Sequence, residues 1–74
     1  MAYEIERAAF GEFWDKWMND EQFRGTRRFG QAFCDHFKTY KMNPTETDKI
    51  VMDRIYESYY PDALALIFQL FELK

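Results

Sequence analysis

Apolar residues recur along this chain at helical spacing. Phe29, Phe33, Phe37 and Tyr40 fall at i, i+4, i+8 and i+11, one stripe of a helix, while Arg27, Arg28, Gln31, Asp35 and Lys38 gather on the opposite face. The pattern predicts a helix over about residues 26–40, with the Thr26 hydroxyl as its N-cap. Arg27 and Arg28 would then sit at the unfavourable end of the helix dipole, which suggests a use beyond local stability. Gly30 in a helix interior costs about 1 kcal/mol, so its presence predicts close approach by another element.

Three further helices follow from the same periodicity. The first covers about residues 9–19, with Phe10, Phe13, Trp14 and Trp17 in one arc. Extending it back to residue 3 would place Glu6 on the apolar face, so residues 1–7, or 1–8 at the outside, are expected to be frayed or a separate turn. Residues 19–25 form the first connection, with Phe23 tucked back as a hydrophobic plug. Pro44 ends the second helix by excluding helix at Asn43. Thr45 or Thr47 caps a third helix to about Ser58, with Val51, Ile55 and Tyr59 inward and Asp48, Asp53 and Glu57 outward. Tyr60-Pro61-Asp62 breaks the chain again, and Asp62 suits the N-cap of a last helix over residues 63–73. That helix is apolar over much of its circumference, so either it is the central post of the bundle or part of it is a homodimer contact.

β-branched residues are sparse and no stretch alternates with a period of two. The expected fold is therefore all-α: one domain over residues 1–74, a three- or four-helix bundle. Its aromatic-rich core would comprise Phe13, Trp17, Phe29, Phe33, Phe37, Ile55, Ile67 and Phe71. Composition supports this for so short a chain. A domain of 74 residues hides only roughly 60% of its unfolded surface. Eight Phe, five Tyr and two Trp supply the compensation, since each buried ring removes about 150–250 Å² from water. They also exceed what a core this small can enclose, so some of Trp14, Trp17, Tyr56, Tyr59 and Tyr60 are expected at the surface as contact residues.

The net charge of −3 is segregated along the chain. Residues 1–21 sum to −4, residues 22–42 to +4 and residues 43–74 to −3. Two readings of the basic middle stand open. In one, Arg24, Arg27 and Arg28 pair with Glu12, Asp15, Asp20 or Glu21, a surface arrangement contributing about 0–1 kcal/mol per pair. In the other, Arg24, Arg27, Arg28, Gln31 and Lys38 form an exposed patch for an acidic partner or for phosphates. A pI near 5.0 argues against bulk nucleic-acid binding.

Catalytic chemistry finds no footing. Cys34 and His36 differ by about 200° on a helical wheel and cannot form a nucleophile–base pair. One Cys and one His do not make a metal site, and neither Gly25 nor Gly30 belongs to a phosphate-loop pattern. No cofactor is expected. The single cysteine excludes an internal disulfide, the N-terminus lacks a signal-peptide pattern, and residues 63–71 are too short an uncharged run to span a bilayer. A cytoplasmic location without membrane contact is the expectation.

Phe13-Trp14 followed by Trp17, then Arg28-Phe29-Gly30-Gln31-Ala32-Phe33, then Tyr59-Tyr60-Pro61-Asp62-Ala63, resembles small helical proteins of phage and prophage genomes that carry an Arg-aromatic-Gly-Gln-Ala-Phe helix. The resemblance covers roughly residues 12–70. It implies a small helical cytoplasmic protein from a mobile element, and it carries over no catalytic or ligand-binding residue. The leading functional expectation is a non-enzymatic protein-interaction module that modulates a host or defence protein. Phosphate, nucleotide or nucleic-acid binding through the arginines is the alternative, and a structural homodimer through the C-terminal helix is a third.

Overall fold

The computed structural model describes residues 3–74, and over them the chain folds as an all-α bundle. Four helices carry it: α1 (Arg7–Asn19), α3 (Phe29–Phe37), α4 (Glu46–Glu57) and α5 (Asp62–Leu70). A one-turn helix α2 (Glu21–Arg24) and a 3-10 turn (Thr39–Met42) fill two of the connections, and strands β1 (Tyr3–Ile5) and β2 (Phe71–Leu73) join the two ends.

The first helix buries Phe10, Phe13 and Trp17 at the spacing its sequence predicts. Asp20 then turns the chain, accepting hydrogen bonds from the backbone N–H groups of Gln22 and Phe23 at 3.0 and 3.1 Å, so the first connection is itself helical. Phe23 packs on the core as expected. Gly25, at φ 55°, ends α2 in a backbone conformation that a side chain would strain. This turn displaces the start of α3 by three residues. The Arg27 N–H bonds the Arg24 carbonyl, Arg28 is extended, and Arg28 rather than Thr26 occupies the N-cap position, with no side-chain cap.

The predicted continuation of α3 to Tyr40 also fails, for a local reason. Lys38 adopts the left-handed conformation and donates its N–H to the Cys34 carbonyl, closing the helix. Tyr40 therefore leaves the stripe and is 69% exposed, while Phe29 and Phe33 are buried and Phe37 is half-buried. In α4, Thr45 is the cap, accepting from the Asp48 N–H at 3.1 Å. Tyr59 lies past the end of that helix and faces solvent rather than the core.

Both chain ends correct the sequence reading. Residues 3–5 are neither frayed nor a separate turn: they pair in parallel with residues 71–73, Tyr3 against Phe71, Glu4 against Glu72 and Ile5 against Leu73. Residues 1–2 lie outside the described residues. Burial of Ile5 and Phe71 holds this short pair, and backbone bonds from Lys74 to Ile5 and from Arg7 to Lys74 run it into the start of α1. Consequently α5 stops at Leu70, and its first residue is Asp62, with Pro61 in the N-cap position. Nor is α5 the central post. Ala63 and Ile67 are buried, but Phe68 stands 45% exposed on its outer flank.

The centre belongs to α1 and α3. The Phe13 ring has the rings of Phe29, His36, Phe37, Phe23 and Phe33 around it at centroid distances of 5.4–5.9 Å, mostly edge to face. Gly30 meets the prediction made for it. A Cβ there would overlap the Ile55 carbonyl oxygen and stand 3.1 Å from that of Ser58, so α3 and the end of α4 touch backbone to backbone. The contact is sealed by the Gly30 N–H donating to the Ser58 carbonyl at 3.2 Å.

Candidate interaction surface

The Arg-Phe-Gly-Gln-Ala-Phe segment divides between core and surface. Phe29, Gly30, Ala32 and Phe33 are buried, while Arg28 and Gln31 are half-buried on the outer side. Once Gly30 is locked on α4 and Phe29 on α1, the flanking arginines have little freedom in where they emerge.

They emerge over aromatic rings. Arg24, in the last turn of α2, holds its guanidinium carbon 5.9 Å from the Trp17 ring centroid. Arg28 does the same at 5.0 Å over Tyr59. Its Nε is buried without a hydrogen-bond partner, so the Tyr59 face is the principal group ordering that side chain. Arg27 takes a different course. It stacks 5.1 Å over Phe23, donates to the Phe23 carbonyl and pairs with Asp35 at 3.5 Å. Lys38 is exposed at the far end of α3, roughly 13 Å along its axis from the first residue. The five residues singled out by sequence are thus not one cluster. Among the described residues none of Glu12, Asp15, Asp20 or Glu21 forms an ion pair with an arginine. Arg27 instead pairs within its own segment, with an Asp35 that the wheel puts on the same face but two turns away, a gap bridged because Arg27 precedes the helix and is not bound by its spacing.

From the Trp17 ring beside Arg24, ring contacts run to Tyr60, the sequence neighbour of the Tyr59 on which Arg28 rests. Trp17 packs on Phe29 at 5.3 Å, Phe29 on Tyr60 at 5.5 Å, and Tyr60 on Trp14 at 5.7 Å. One turn earlier on α1, Phe10 meets Phe68 of α5 at 5.7 Å. Tyr59 and Tyr60 are 65% and 46% exposed, so the outer members of this belt face water. Periodicity assigned Tyr59 to the core and did not single out Phe68 as a contact residue. The surplus of rings over what a small core can hold did put Tyr59 among the expected surface residues, and the same count could have extended to Phe68.

Cys34 and His36 serve packing. The Cys34 thiol is buried, donates to the Met52 carbonyl at 4.0 Å, and has its pKa raised first by burial and then by Asp35 and Asp53 despite an opposing Thr39 hydrogen bond. The His36 ring lies 5.4 Å from Phe13, 5.8 Å from Phe23 and 4.8 Å from Phe37. Its pKa is lowered, chiefly by burial and then by Lys16 and Arg27, against Glu12. Among the described residues no three His, Cys, Asp or Glu side chains converge as a metal would require, and no helix is long and apolar enough to cross a membrane. No family model, no curated protein and no solved structure matches the chain.

Proposed function

We propose that this chain is a non-enzymatic protein-interaction module of the cytoplasm, and that Arg24, Arg28, Trp14, Tyr59, Tyr60 and Phe68 are its contact surface. One observation carries the reading: two guanidinium groups are held over rings, Arg24 over the edge-of-core Trp17 and Arg28 over the exposed Tyr59, and among the described residues no acidic side chain pairs with either. Aromatic residues and arginine are the side chains that dominate binding energy at protein interfaces. The partner surface that suits this belt is apolar at its centre and carries carboxylates at its margin. In the setting that the phage-type motif implies, the partner is a host protein, including one belonging to a defence system. Gln31, one turn after Arg28, flanks the surface, while Lys38 at the other end of α3 lies outside it.

The net charge of −3 and the internal neutralisation of Arg27 weigh against the phosphate or nucleic-acid reading. Capture from host lysate with mass spectrometry tests the choice. A complex that survives nuclease supports the module, and one that disappears with nuclease transfers the arginines to nucleic acid. A homodimer through α5 is a second reading, favoured by Phe68 standing exposed on that helix. Light scattering decides it: a doubled mass together with a concentration-dependent Tm supports the dimer.

A further inference from the structure

Gly30 is explained by its fit against α4, but the fold supplies no such reason for Gly11. That residue lies within α1, is exposed, and has no positive φ. A Cβ at its position would meet nothing within 4 Å. Alanine would fit there and would strengthen the helix. Close approach by another backbone is the physical use of a glycine in such a place.

The residues around Gly11 describe what approaches. Arg7, Gly11, Trp14 and Met18 fall at i, i+4, i+7 and i+11, a stripe beside the buried Phe10, Phe13 and Trp17. Trp14 is half-buried and Met18 is 43% exposed, so apolar surface stands in water along this flank. Asp15 adjoins it. Arg7 and Asp15 lie four residues before and after Gly11, each about 6 Å from it along the axis. Both are exposed, and among the described residues neither forms an ion pair. Glu12 and Lys16 lie round the helix on the His36 side, away from the stripe.

This order of charges is complementary to itself when reversed. A second α1 crossing in the opposite direction, Gly11 against Gly11, sets Arg7 of each copy level with Trp14 and Asp15 of the other. Two-fold symmetry makes each contact twice. Crossing in the same direction would set Arg7 against Arg7 and Asp15 against Asp15, so only the reversed crossing pairs the charges.

We propose that α1 binds a second copy of this chain antiparallel, with Gly11 at the crossing point and Arg7 of each copy paired to Asp15 of the other. The contact goes beyond the belt reading and meets the belt only at Trp14. Arg24, Arg28, Tyr59, Tyr60 and Phe68 stay outside it. With 13 residues α1 is about 20 Å long, so the crossing belongs to the small, transient class of interfaces.

Sedimentation equilibrium over a concentration series tests this, on chains verified as folded by circular dichroism. The expected result is a reversible monomer–dimer equilibrium. Gly11→Ala raises the Tm of the dilute monomer by about 4–8 °C, yet weakens dimerisation about tenfold. A glycine without a role in contact would show the first change and not the second. Arg7→Glu and Asp15→Arg are each monomeric where the wild type is dimeric. An equimolar mixture of the two dimerises, because each altered residue then meets an opposite charge. Phe68→Ser leaves the dimer unchanged, which separates this contact from one through α5. Arg28→Ala/Tyr59→Ala also leaves it unchanged, so this contact and capture of a host protein by the belt fail separately. A chain that stays monomeric throughout, Gly11→Ala dimerising like the wild type, a mixture that stays monomeric, or a dimer lost in Phe68→Ser overturns the inference.

Discussion

Single residues in this chain separate fold from contact. Gly30 belongs wholly to the fold. Its Cα hydrogens face the carbonyls that end α4, and a methyl group cannot enter without moving one backbone off the other. Gly30→Ala is therefore expected to destabilise by roughly 3 kcal/mol, the upper part of the overpacking range, despite the better helix propensity of alanine. Chemical denaturation measures it, and a neutral or stabilising effect would mean that α3 and α4 are farther apart than described. Arg24 and Arg28 belong to contact. Each rests on a single ring, Trp17 or Tyr59, and makes no ion pair among the described residues, so truncating either one should change stability by no more than about 1 kcal/mol. His36 carries a pH signature. Its pKa in the fold lies below the ordinary 6.5, mainly through burial, so the unfolded chain binds the proton more readily. Stability from this group is present above pH 6.5 and is lost as the pH falls through the lowered value. The Tm should therefore drop on acidification below pH 6.5, and His36→Gln should flatten that part of the profile.

At the scale of elements, the helices were legible where a long periodic face and a capping residue coincide. Thr45 is such a case: proline before it, acids in the first turn and the hydroxyl on the Asp48 N–H. Thr45→Ala should cost about 1 kcal/mol, read from the shift of the denaturation midpoint. The start of α3 was not legible, because two competing signals sit side by side there. Thr26 is a good cap by type, yet Asp20 nucleates a helical turn upstream and the chain leaving Gly25 reaches helical geometry only after Arg28. The β1–β2 pair was equally hidden. Three residues give one alternation each, and the partners stand at opposite ends of the sequence. The same distance in sequence explains the surface. Trp14 and Tyr60 face one another through the fold, and no spacing rule links them.

Viewed as one molecule, the protein distributes fifteen rings between a core and a rim. Phe13, Phe29, Phe33 and Phe71 are almost wholly buried, and total stability in a chain of this size is about 5 kcal/mol. Phe33→Ala, with an expected loss of 3–5 kcal/mol, should leave little folded protein, visible as loss of the near-ultraviolet dichroism. The rim is different: Tyr59, Tyr60 and Phe68 remain at the surface, Arg28 rests on Tyr59, and among the described residues no acid pairs with Arg24 or Arg28. Sequence identified the arginines individually and left open whether they pair with acids of the first helix or form one patch. The fold instead diverts Arg27 to Asp35 and leaves Arg24 and Arg28 on the belt. The measurement that bears most directly on the proposed role is quantitative capture of a host partner by the wild-type chain and by the Arg28→Ala/Tyr59→Ala variant, both verified as folded by their melting curves. Melting within a few degrees of wild type together with loss of the partner is the predicted result. Undiminished capture by the folded variant would contradict the assignment of this belt as the contact surface.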